Sequence, residues 1–148
     1  MVKLSGKVLK TVLVCFLILI GINGCKDNYT SVIPDVPVNI NINLANKTEL
    51  DTDGGYYKVN GGYGGVIIFH DGTDPSQPFI AFDATCTNEI LPKCSVETTI
   101  GSGIAICPCC GSMFILSGGY GSPVKGPATQ PLKQYRTNFS GGRIIVTN

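Results

Sequence analysis

The run Cys107-Pro108-Cys109-Cys110-Gly111-Ser112-Met113-Phe114 places three sulfurs on one short turn between two apolar segments, 104–107 and 113–116. Cys107 and Cys110 have Cys-x-x-Cys spacing and a glycine follows. Such a turn aims two sulfurs at one point and lets backbone N–H groups face a bound metal. Upstream lie Cys86 and Cys94, so five cysteines fall in two loops, each after an apolar segment. An odd number cannot be consumed wholly by internal disulfides; at least one thiol is left over, or some of the five hold metal. On spacing alone, Cys86, Cys94, Cys107 and Cys110 give four sulfurs. That is enough for a closed tetrahedral zinc site or a [2Fe–2S] cluster.

Outward from these loops the chain reads as strands joined by glycine turns. Val36, Val38, Ile40, Ile42 and Leu44 alternate with Pro37, Asn39, Asn41 and Asn43, the period of two of a half-buried strand. Pro37 puts its beginning at a sheet edge. Further strands are predicted over 66–70, 79–83, 96–100, 104–107, 113–116, 132–137 and 143–146. Gly61-Gly62, Gly64-Gly65, Asp71-Gly72, Gly101-Ser102-Gly103, Gly118-Gly119 and Gly141-Gly142 are the turns between them. No useful window carries a 3.6-residue apolar stripe. The expected fold is all-β, an antiparallel sandwich or small barrel over 36–148 with two cysteine loops. The stretch 61–65 is read as a flexible hairpin loop, since no helix N-terminus and no Walker-type Lys or Ser/Thr follows it.

The same residues resemble a known family. Cys107 to Phe114 looks like the second cluster-binding box of Rieske iron–sulfur domains, C-P-x-H-G-S-x-F/Y, and Cys86-Thr87-Asn88 stands where the first box, C-T-H, is expected. Gly126-Pro127-Ala128-Thr129-Gln130-Pro131-Leu132-Lys133-Gln134-Tyr135 resembles the proline loop, G-P-A-x-x-P-L-x-x-Y, that covers the cluster in that family. The resemblance implies a Rieske-like β fold. It also implies a hydroxyl donor to a bridging sulfide at Ser112, and a cover at Gly126 and Pro127.

The departures matter as much. A Rieske cluster has two Cys on one iron and two His on the other; here Asn88 stands at the first His position and Cys110 at the second. Cys110 can replace an imidazole by a thiolate, whereas Asn88 offers only a neutral amide. In one Rieske branch a disulfide joins the two loops. The resemblance gives Cys109 that role, with Cys94 as candidate partner, so Cys94 has two competing assignments. Cys86, Cys94, Cys107 and Cys110 are expected to hold the metal. A Cys94–Cys109 disulfide is the alternative.

At the amino terminus, Lys3, Lys7 and Lys10 precede an apolar run over 12–20, and Ile22-Asn23-Gly24-Cys25 follows. The run is too short to span a bilayer as a mature helix and has the shape of a secretion signal. Its ending resembles a bacterial lipobox, which implies cleavage of a signal peptide over 1–24 and acylation of Cys25. Acyl chains contributing about 0.8 kcal/mol per CH₂ would hold the protein at a membrane. Residues 25–35 read as a polar tether. Lys26-Asp27 after the acylated cysteine resembles an export tag of Gram-negative lipoproteins, which favours the outer over the inner membrane of the cell envelope.

Charge and composition limit function. With 11 Lys+Arg against 10 Asp+Glu there is no case for a nucleic-acid partner, and loss of the three signal lysines leaves a mildly acidic chain. The single His, His70, excludes any mechanism needing two imidazoles and reads as a strand-end residue touching solvent. No catalytic acid–base pair stands out, so a carrier or binding protein is expected rather than an enzyme. The leading reading is an envelope electron carrier with a Cys-ligated [2Fe–2S] cluster and a protein redox partner. Thiolate in place of imidazole should move its potential from the Rieske range of about −150 to +300 mV towards about −400 mV. Quinol oxidation is disfavoured, because a ligand His takes part in it in Rieske proteins. Structural zinc on the same sulfurs, or a metal-free disulfide-bonded module, are the alternatives.

Overall fold

The computed structural model describes residues 30–148. The stretch 1–24 read as a signal peptide, Cys25, expected to be acylated, and the Lys26-Asp27 pair lie outside the described residues. Ten strands form two antiparallel sheets, and among the described residues the only helical turns are two 3-10 turns, Leu44–Asn46 and Thr48–Leu50. No helix among them is long and apolar enough to cross a membrane.

The six-stranded sheet has the order β1-β10-β9-β4-β3-β2, with β1 Asn39–Asn43, β2 Tyr56–Val59, β3 Val66–His70, β4 Phe79–Asp83, β9 Gln134–Ser140 and β10 Arg143–Thr147. The four-stranded sheet runs β5-β6-β7-β8, with β5 Glu97–Thr98, β6 Ile104–Ile106, β7 Met113–Ile115 and β8 Ser122–Lys125. This is the expected all-β architecture. The period-two stretch forms edge strand β1, where Ile42 faces Ile144 and Ile40 faces Val146 on β10. It stops at Asn43, whose side chain accepts from the Ala45 amide at 3.1 Å and turns the chain into a 3-10 turn.

Strands β3 and β4 have the expected bounds, while the expected 96–100 strand shrinks to two residues. Thr98 Oγ1 donates to the Ile104 carbonyl at 2.7 Å and Ser102 Oγ to that of Thr99 at 2.8 Å, which closes a turn there. Strands β2 and β8 were not expected. β8 contains Pro123 and has a register shift against β7 between Met113 and Phe114; it lies at the sheet edge, where a missing N–H is tolerated.

One core cluster packs Phe69, Phe82, Phe114, Leu116 and Leu132 with Cys86 and Cys107, so the cysteine loops are rooted in apolar packing rather than laid on the surface. The folded body begins at Ser31. Ile33 is buried, and Lys133 Nζ bonds the Pro34 carbonyl and pairs with Asp35, so the end of the expected tether is clasped to the domain.

Candidate metal centre

Loop 1 leaves β4 and holds Cys86 to Cys94. The Glu89 amide donates to the Cys86 carbonyl at 3.1 Å, the Cys94 amide to that of Glu89 at 3.2 Å, and the Cys86 amide to that of Cys94 at 2.8 Å. These bonds fold the loop back on itself. Loop 2 leaves β6 and is closed in the same way: the Gly111 amide donates to the Cys107 carbonyl at 2.9 Å, and the Cys107 amide to that of Ser112 at 2.8 Å. Gly111 sits at φ 70°, a left-handed conformation that glycine takes without steric cost.

The two closed loops bring three free thiols together. The Sγ atoms of Cys86, Cys107 and Cys110 all lie within 4.8 Å of one another, and Cys86 and Cys110 are 3.6 Å apart. Cys86 and Cys107 are fully buried, and Cys110 is half-buried. Burial pushes the Cys86 thiol up to about 12, and contacts with Cys107 and Cys110 add to this. Burial also works against ionisation of Cys110. There it is outweighed by the Ser112 hydroxyl and amide, with Cys107 and Cys86, which hold that thiol below its ordinary range.

Cys94 is not among the free thiols. It forms a disulfide with Cys109, with Cα atoms 6.4 Å apart, so the expectation that Cys94 is the fourth metal ligand is corrected in favour of the disulfide alternative. The physical reason lies in loop 1. Its backbone bonds do carry Cys94 back to the second loop, but opposite Cys109. Cys109 Sγ lies within 4.8 Å of Cys107 Sγ but is bonded to Cys94, which removes both sulfurs from the set of free thiols. The disulfide lies beside the thiols, with Cys107 Sγ 3.7 Å from Cys94 Sγ. Asn88 is exposed and its amide donates to Glu89 Oε1 at 3.1 Å. His70 is remote from the sulfurs in function: Nδ1 is 2.8 Å from the Leu50 carbonyl and Nε2 3.4 Å from Asp53.

The proline loop is tied to both cysteine loops. Ser112 Oγ, fully buried, accepts the Ala128 amide at 3.1 Å and lies 3.0 Å from Cys110 Sγ. Gly126, at φ 93°, lies so close that a Cβ there would stand 2.5 Å from Ser112 Cα. Thr87 Oγ1 donates to the Gln130 carbonyl at 2.7 Å, a tie that sequence reasoning missed although Thr87 stands in the first box.

A second support went unread. Asp83, fully buried at the end of β4, accepts from the Tyr63 amide at 2.7 Å, the Thr85 amide at 2.9 Å and the Tyr135 hydroxyl at 2.8 Å. The Gly64 amide adds a bond to Asp83 Oδ1 at 3.3 Å. The glycine-rich hairpin is therefore pinned by a carboxylate three residues before Cys86. No local sequence pattern joins Asp83 to Tyr135; the sheet topology does.

Two antiparallel sheets carrying paired cysteine loops under a proline cover define a Rieske-type domain. No family model matches the sequence, and no curated protein matches it. Among solved structures, the cyanobacterial plasma membrane Rieske protein PetC3 from Synechocystis PCC 6803 matches with a TM-score of 0.56 at 31% identity, over 72% of this chain and 97% of that one. A chain from the complex of reduced oxygenase and oxidised ferredoxin in carbazole 1,9a-dioxygenase matches with a TM-score of 0.55 at 24% identity, over 74% of this chain and 93% of that one. The chain belongs to the Rieske family.

Proposed function

We propose that the protein is an electron carrier of the bacterial cell envelope, lipid-anchored through Cys25, with a Cys-ligated [2Fe–2S] cluster on Cys86, Cys107 and Cys110. The observation that carries this reading is the convergence of three free thiols beneath a cover tied to Ser112. An ordinary Rieske donor set does not fit: Asn88 and Cys110 stand at the imidazole positions, and the chain's one His is engaged elsewhere. A three-thiolate donor set does fit, with the remaining coordination left to a group from outside these cysteines. When bound, a cluster supplies one-electron transfer. The chain's own residues exclude water with Phe114 and the 126–128 cover, and give the sulfurs a hydrogen-bond donor in Ser112.

Anaerobically purified protein is expected to contain iron and inorganic sulfide in equal amounts and to be coloured. A specific observation favours a second reading, a single zinc ion. Tetrahedral Zn–S bonds of about 2.3 Å imply sulfur–sulfur edges of about 3.8 Å, near the 3.6 Å between Cys86 and Cys110. Zinc without sulfide in the same elemental analysis selects it.

The anchor reading rests on the Ile22-Asn23-Gly24-Cys25 ending of the apolar run. Metabolic palmitate labelling is expected to tag the wild type and not Cys25→Ser; label on the variant overturns it. An outer-membrane position and a protein redox partner belong to the same reading, and no nucleic-acid partner does.

A further inference from the structure

We propose that in the metal-free protein Cys110 and Cys86 form a thiol–disulfide exchange pair acting on peptide or protein disulfides, with Cys110 attacking and Cys86 resolving. This goes beyond the metal reading, because it concerns the stripped protein, and metal on the same sulfurs blocks it.

The two cysteines come from different loops, 24 residues apart, yet their sulfurs are 3.6 Å apart and both thiols are free. Their exposures differ as the two roles require. Cys110 is half-buried and reachable from outside, while Cys86 is wholly buried behind it. The Ser112 hydroxyl, 3.0 Å from Cys110 Sγ, can donate to a thiolate there. Next to Cys110, Gly111 has open space where a Cβ would stand, which leaves room for the backbone of an incoming peptide. The other sulfurs are committed or enclosed: Cys94 and Cys109 are already bonded, and Cys107 is buried against Cys94.

The exchange balances in two steps. The Cys110 thiolate attacks one sulfur of the partner disulfide, forming a mixed disulfide and releasing the first partner thiolate. Cys86 then attacks Cys110 Sγ as its proton passes to the departing sulfur, releasing the second partner thiol. The Cys86–Cys110 pair is oxidised by two electrons, and the partner is reduced to a dithiol.

The test uses the full-length protein, freed of metal by a chelator without a reductant, then treated with oxidised glutathione, alkylated and mapped by peptide mass spectrometry. The expected result is a Cys86–Cys110 cross-link with Cys107 still alkylated and Cys94–Cys109 intact. In Cys86→Ser, Cys110 should accumulate as the glutathione mixed disulfide; in Cys110→Ser, Cys86 should remain unmodified. Three alkylated thiols at 86, 107 and 110 after oxidation, or a cross-link that takes in Cys107, overturns the proposal. The wild-type map decides even if a variant fails to fold. Metal content is not read, so failure here leaves the metal reading standing, and failure of the metal reading leaves this map unchanged.

Discussion

The hydroxyl of Ser112 stands 3.0 Å from the sulfur of Cys110. It already accepts the Ala128 amide at 3.1 Å, so its own hydrogen is free to point at the sulfur. One side chain thus closes the proline loop and stabilises a thiolate. Ser112→Ala is expected to leave the Ala128 N–H buried without a partner, costing about 1–3 kcal/mol in urea unfolding. In the metal-free protein it should also raise the pH at which Cys110 is alkylated at half its maximal rate. An unchanged alkylation profile would deny the sulfur contact, whatever the stability loss.

Gly126 sits at φ 93°, and a Cβ there would meet Ser112 Cα at 2.5 Å and Ser112 Oγ at 2.8 Å. Gly126→Ala therefore combines backbone strain with a clash against backbone, and a loss of about 1–3 kcal/mol is expected. Gly141→Ala is the control: φ is 58°, but a Cβ there meets nothing within 4 Å. The control should cost less in the same unfolding experiment, and equal losses would show that the cover is not tightly seated on Ser112.

What the sequence conveyed follows the range of each interaction. Val66 to His70 and Phe79 to Asp83 are continuous apolar runs bounded by turn residues, and both strands have the bounds read from sequence. Ser122 to Lys125 carries Pro123 and no alternation, so its strand comes from pairing with β7 rather than from local pattern. The box Cys107 to Ser112 announced itself because its turn is local. Whether Cys94 goes to metal or to Cys109 depends on how two loops 13 residues apart face each other, and spacing does not contain that. The carboxylate of Asp83 meeting the hydroxyl of Tyr135 joins strands 52 residues apart, and was equally unreadable.

Tyr135 should make the domain sensitive to alkali. Its burial, and then its bond to the Asp83 carboxylate, raise the phenol above its usual range. Unfolded tyrosine ionises near pH 10 while the folded residue keeps its proton. The unfolded state therefore gains stability first as pH rises, and the domain's stability from this group, full below about pH 10, is lost above it. Tyr135→Phe is expected to lower stability at neutral pH by about 1–3 kcal/mol, since Asp83 loses a buried donor. It should also show a shallower fall between pH 9 and 11 than the wild type. Parallel curves would mean that Tyr135 is not the titrating group.

The disulfide and the thiols should separate cleanly by mutation. Cys94 and Cys109 are bonded to each other, whereas Cys86, Cys107 and Cys110 are free and converge. Cys94→Ser and Cys109→Ser should thus behave alike, each losing about 3 kcal/mol for a closed loop of this length while keeping most of the bound metal. Cys86→Ser, Cys107→Ser and Cys110→Ser should each lose metal, because each removes one of three thiolates. Cys107 is the most informative of the five, since its sulfur is 3.7 Å from Cys94 Sγ and it could compensate for a missing disulfide partner. In Cys109→Ser, a new Cys94–Cys107 bond would remove a ligand and mimic ligand loss. Metal analysis of the five variants under reducing conditions, where no such bond persists, removes that ambiguity. If Cys94→Ser then loses metal as fully as Cys86→Ser while Cys109→Ser keeps it, Cys94 is a ligand and the disulfide does not form in the metal-bound protein.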